Sequence, residues 1–190
     1  MKGIGGVSLS MVSLMAVGCG DITGATGAKG RVHYSLYTHY ELEDWNLGEV
    51  SLVTGHPQRI QTEMTEKGLD HLTGDAENIV HTVVPAAGVA VSHEESTDDI
   101  ADLTLTVSDP GDYTLESQLE GAVFDYLELS FGKPDEMEVI TWTRNPSADD
   151  FEVNDDDIIE IEEGGQVTFL PIPRVDGARL AGDITVDITA

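Results

Sequence analysis

From Arg31 onward, apolar residues recur at every second position of the chain. Val32, Tyr34 and Leu36 do so first, then Leu103, Leu105 and Val107, and later Leu127, Leu129 and Phe131. A period of two places alternate side chains on opposite faces of an extended backbone, so each run has one face to bury. Ile60 and Met64 share a face within Gln58–Thr65, and Tyr113, Leu115 and Ser117 share one further on. Ile79 to Val84 and Val89 to Val91 read as short strands. Clusters such as Gly55-His56-Pro57 interrupt the runs, at the spacing of roughly 8–12 residues expected of a sandwich. No stretch keeps a helical period for three turns. The sequence predicts an all-β chain.

The 190 residues include one cysteine, Cys19, so no internal disulfide can staple the sheets. Packing and hydrogen bonding must hold them. The charge balance is extreme: 36 acidic residues against nine Lys and Arg, a net −27. Such a field repels nucleic acid and anionic lipid head groups, excluding both as direct ligands. The acids are spread along the whole chain, which reads as a surface kept soluble in salt rather than as one cation site.

The N-terminus carries an address. Met1-Lys2 precedes a stretch of 14 residues, Ile4 to Val17, that is apolar apart from Gly and Ser. A membrane-spanning helix needs about 20 residues, so this one reads as a cleaved export signal. It ends in Met15-Ala16-Val17-Gly18-Cys19, which resembles the lipobox of bacterial lipoproteins, although leucine is more usual where Ala16 stands. The resemblance implies cleavage between Gly18 and Cys19, removal of residues 1–18, and acylation of the Cys19 thiol with palmitate-like chains. The expected location is the cell envelope, at the outer membrane or cell surface. Residues 19–30 then comprise the lipidated cysteine and a stretch with four glycines that reads as a flexible tether.

Asp109-Pro110-Gly111-Asp112-Tyr113 resembles the corner that leads into the sixth strand of immunoglobulin-like domains. There a glycine frees the turn and a tyrosine returns its hydroxyl to the backbone. In antibody-type domains a disulfide cysteine follows two residues later; Leu115 stands there instead. Val175-Asp176-Gly177 through Gly182, followed by Ile184, Val186 and Ile188, is similar to bacterial Ig-like repeats. Matching Gln58 with Gln166 and Gly68 with Gly177 suggests an internal repeat, with residues 66–74 as a looser copy of the Asp-Gly turn. The expectation is an immunoglobulin-like β-sandwich over residues 31–135 and a smaller second Ig-like β unit over 136–190. From Glu138 the second unit has room for about four strands, too few for a sandwich. Either they complete the first domain's sheets, or they form a half-module needing a partner, or the chain is cut from a longer one.

Residues that could carry chemistry are few. Asn154-Asp155-Asp156-Asp157 with Glu160, Glu162 and Glu163 is dense in carboxylates, but lacks the early glycine of a calcium loop and reads as solvated strand and loop. The histidines His33, His39, His56, His71, His81 and His93 show no ligand spacing, so no metal site is expected. No Gly-x-Ser-x-Gly elbow and no phosphate-cradling loop occur. Trp45 and Trp142 suit packing better than sugar stacking. The reading is a non-enzymatic lipoprotein without a cofactor, held to a membrane through Cys19 and presenting an acidic module to a protein or glycan partner. An accessory carbohydrate- or divalent-cation-binding lipoprotein is the alternative.

Overall fold

The computed structural model describes residues 23–38, 46–72, 78–96, 100–144, 146, 152–154, 164–182 and 184. Nine strands form two facing sheets. The first sheet contains β1 (Thr23–Thr26), β2 (Val32–Leu36), β4 (Gln58–Met64), β7 (Ile100–Val107) and β6 (Val89–Ser96), in the order β1-β2-β4-β7-β6. The second contains β3 (Ser51–Val53), β9 (Ala122–Gly132), β8 (Gly111–Leu119) and β5 (Ile79–Val84), in the order β3-β9-β8-β5. All ladders are antiparallel except β3 with β9, which is parallel.

The period-two runs pair as strands because one register buries every apolar residue. Val32, Tyr34, Leu36, Ile60, Leu103 and Leu105 point inward from the first sheet and are fully buried. Leu52, Leu115, Leu127, Leu129 and Phe131 answer them from the second. Each such side chain contributes about 2 kcal/mol through apolar area removed from water.

Among the described residues, Thr23–Thr26 is a strand and Gly27 serves close approach, so residues 23–30 are not the flexible tether expected there. The run from Thr23 to Thr26 pairs with β2 in register Thr23↔Leu36 to Thr26↔His33. The turn after it lies on Asp125 of β9, whose buried carboxylate accepts from the backbone N–H of Lys29 (2.7 Å), Arg31 (2.7 Å) and Val32 (2.8 Å). A side chain at Gly27 would meet this carboxylate at 2.6 Å, so only glycine lets the turn come so near. Lys29 Nζ also donates to the Val123 carbonyl, and Arg31 sits over the Phe124 ring at 5.1 Å.

Residues 66–72, the described part of 66–74, do not repeat the later Asp-Gly turn. Glu66–His71 is helix α1, capped by Thr65, whose hydroxyl oxygen accepts from the Gly68 N–H at 3.0 Å. The helix packs backbone against backbone: a Cβ at Gly68 would lie 2.1 Å from the Arg31 carbonyl oxygen. Gly177 instead follows Asp176 in a tight turn with φ of 77° and 49°, the hairpin chemistry of an Asp-Gly pair. Gln58 and Gln166 both open strands, but the repeat goes no further among the described residues.

The C-terminal strands build a third sheet, ordered β11-β10-β12-β13, from β10 (Glu136–Arg144), β11 (Glu152–Asn154), β12 (Gln166–Val175) and β13 (Ala178–Arg179). The chain then returns to the sandwich. Ala181 bridges Leu52 in parallel, accepting from Val53 N–H at 2.9 Å and donating to the Ser51 carbonyl at 2.8 Å. Leu180 and Val175 pack over Gly132, and Leu170 packs against the main core. The four strands thus pair among themselves, and the segment after them joins the free side of β3.

Asp125→Ala should cost about 3 kcal/mol in urea unfolding, because it strands buried N–H groups of the hairpin turn. A loss below about 0.5 kcal/mol would show that the carboxylate does not fasten the hairpin.

Candidate functional site

Among the described residues, a constellation of reactive side chains lies between the two sheets. Tyr34 projects from β2, Thr62 from β4, His81 from β5 and Ser117 from β8, all on inward positions of their strands. Tyr34 Oη lies 2.7 Å from Ser117 Oγ, and Ser117 Oγ lies 3.1 Å from His81 Nδ1. His81 Nε2 is 3.3 Å from Thr62 Oγ1, which in turn donates to the Ala101 carbonyl at 3.1 Å.

The last bond fixes the direction of the others. A carbonyl can only accept, so the Thr62 hydroxyl spends its proton there and must accept from His81 Nε2–H. His81 Nδ1 is then a bare acceptor, which Ser117 fills with its hydroxyl proton while accepting from Tyr34. Every donor and acceptor is used when His81 is neutral with its proton on Nε2.

Burial enforces that state. His81 is 3% exposed and Ser117 fully buried. Burial pushes the His81 imidazole from 6.5 down to about 4, aided by the neighbouring charge of His93, whose ring stacks 5.7 Å away. Burial likewise raises the Tyr34 phenol above its ordinary range. A hydroxyl donating to a histidine is the first half of a nucleophile–base pair. Here the ring's other nitrogen faces a threonine hydroxyl rather than a carboxylate, and both partners are closed to water. The arrangement ties four strands across the sandwich where no disulfide can.

The anticipated site residues fall in three groups. Asp109, Gly111 and Tyr113 come together at the head of β8: the Tyr113 hydroxyl donates to the Asp109 carbonyl at 2.9 Å, and Gly111 adopts a φ of 148°. The Tyr113 ring meets Phe131 edge-on at 5.6 Å. Cys19 and Gly18, together with His39, Trp45 and residues 155–163 of the acidic run, lie outside the described residues. Trp142 is half-buried on β10. His33, His56 and His71 stand apart from the stacked pair, and among the described residues no three His, Cys, Asp or Glu converge to hold a metal ion.

Sequence reasoning missed the Tyr34–Ser117–His81–Thr62 tie, Asp125, and an ion cluster on the third sheet. There Glu138 Oε2 accepts from Arg174 at 2.7 Å, and Oε1 from Arg179 at 2.9 Å. Hydrogen bonds from Arg179 and then Arg174 hold the Glu138 carboxyl below the usual carboxylate range. Two of the chain's nine Lys and Arg residues are thus spent on one carboxylate, pinning β13 to β10 across β12. The legible signal was polar residues on inward positions: His81 and Ser117 each interrupt an otherwise apolar face, and Thr62 shares its face with Gln58 and Ile60.

Since the folded His81 binds its proton below the unfolded value, its contribution is complete above pH 6.5 and is lost as the pH falls toward about 4. That window should remove on the order of 3 kcal/mol in wild type, and His81→Gln should flatten it. Urea midpoints at neutral and acid pH decide the matter: equal acid sensitivity in both proteins would refute a neutral buried histidine. No protein-family model and no curated protein matches the chain.

Proposed function

We propose that the chain is a non-enzymatic lipoprotein of the cell envelope, in which an acylated Cys19 holds an acidic immunoglobulin-like module at a membrane face. The observation that carries this reading is the spacing of sequence and structure: the lipobox-like Met15-Ala16-Val17-Gly18-Cys19 ends four residues before β1 begins at Thr23. A cysteine at that point, alone in the chain, has a use as the sulfur nucleophile that takes up a diacylglyceryl group. Two or three acyl chains give lasting attachment, whereas one does not.

The strand order supports the immunoglobulin-like part. Beside β2, the strands β4, β7 and β6 lie as A, B, E and D do, while β9, β8 and β5 lie as G, F and C do. The parallel pairing of β3 with β9 fits a first strand that switches sheets, and the Tyr113 bond to Asp109 fits a tyrosine corner. Presentation is the mechanism: a rigid body with a net charge near −27 repels anionic neighbours and leaves loops and strand edges to meet a protein or glycan.

Intact mass of native material tests the proposal. The expected species begins at residue 19 and carries diacylglycerol with or without an N-acyl chain, and Cys19→Ser abolishes the added mass. A free thiol at position 19 with the leader retained, or cleavage elsewhere, overturns it.

A further inference from the structure

Large apolar side chains are exposed unevenly. On the third sheet the register Met137↔Pro173, Val139↔Pro171 and Thr141↔Phe169 sets these six residues on one face, of which Thr141 and Pro173 are buried. Met137 is 46% exposed, Val139 52% and Phe169 40%, while the opposite face turns Leu170 and the buried Ile172 inward. Outer faces of the sandwich are mixed: Arg59 pairs with Asp102 at 2.6 Å on the first sheet, and on the second Gln118 bonds Thr82 and Glu116 beside the single exposed Val80.

The apolar face hangs from the end of the sandwich at which the chain emerges. Thr23 pairs with Leu36, and Leu36 with Ile60, two residues from Gln58. Gly182 packs on the Gln58 side chain, and Leu180 N–H donates to the Pro173 carbonyl of β12 at 2.8 Å. Thr54 N–H bonds the Gly132 carbonyl at the same end. Exposed Val84, with Pro85, Ala86 and Ala87, continues the apolar character in the loop beyond β5, whose last pair is Val84↔Thr114. Neither Thr54–Pro57 nor Pro85–Gly88 contains a carboxylate of its own, although the Asp109 side chain lies against Gly88. The cations Lys29, Arg31 and Lys67 gather at the other end, around the β1–β2 turn.

Three residues separate Cys19 from Thr23, a span of at most about 14 Å over four extended steps. An acyl group on Cys19 therefore holds this end of the molecule against the bilayer. We infer that the sheet face bearing Met137, Val139 and Phe169 rests on the lipid surface itself, as a second, non-covalent contact beside the anchor. The inference rests on the lipoprotein reading above. An apolar, partly aromatic patch suits the interfacial zone, and anchor plus apolar contact bind in concert. Most of the acidic residues lie elsewhere and stay in water, away from the head groups.

The test uses the acylated full chain in phosphatidylcholine vesicles, with Cys19 blocked by its lipid and one new thiol carrying an environment-sensitive fluorophore. Phe169→Cys and, as a second variant, Val139→Cys probe the face; Gln118→Cys on the outer sandwich is the control. Labels at 169 and 139 should blue-shift and lose at least half their emission to a lipid-borne quencher, while the label at 118 answers only to aqueous iodide. Labels at 169 and 139 that behave like 118 would overturn the inference with the anchor intact. So would labels shielded from both quenchers, since another segment of this chain or a second copy would then cover the face. Protein that does not float with vesicles and shows no acyl mass would remove the anchor reading first, and the lipid contact with it.

Discussion

Three backbone N–H groups of the β1–β2 turn converge on the Asp125 carboxylate, and a fourth, from Tyr126, reaches it at 2.9 Å. Much of the architecture follows from that convergence. A buried carboxylate is tolerated only when its oxygens are saturated by donors, and backbone amides supply them without bringing a compensating cation into the core. The turn must run close under β9, which requires Gly27, and helix α1 must sit on the turn, which requires Gly68. Once the turn is seated, β1 is committed to the edge of the first sheet. Among the described residues, the sandwich therefore includes Thr23–Thr26.

The same economy governs the middle of the sandwich. A chain whose sole cysteine is at position 19 has to cross-link its sheets without sulfur. Tyr34, Ser117, His81 and Thr62 do so by a directional run of hydrogen bonds ending on the Ala101 carbonyl. Fully satisfied polar networks in a low dielectric impose one packing arrangement, and partly satisfied ones are costly. The tie therefore couples sheet registry to the protonation state of a single histidine. The third sheet uses an exposed version of the same device, with Glu138 held between two guanidinium groups.

Much of the fold was legible in alternation. Leu103, Leu105 and Val107, or Leu127, Leu129 and Phe131, announce their faces because a strand buries every second residue. The corner at Asp109 to Tyr113 was legible because its glycine and tyrosine do local work over four residues. Asp125 was not legible, since its partners in the β1–β2 turn are 93 to 96 positions away and one carboxylate among 36 acids carries no mark. The glycines of the N-terminal stretch misled for a related reason: a residue without a side chain serves close packing and freedom alike, and only the neighbour tells which. Glu66–His71 escaped notice because six residues are too few to show a helical period. The lipid anchor remains a reading of Met15 to Cys19.

Native-state amide exchange on the wild-type protein tests the role of Asp125 most directly. If the carboxylate makes the first hairpin part of the sandwich's cooperative unit, the amides of Lys29, Arg31 and Val32 open with the free energy of Leu115 and Leu129 in β8 and β9. Exchange of those three amides through a local opening several kcal/mol cheaper than global unfolding would contradict the account.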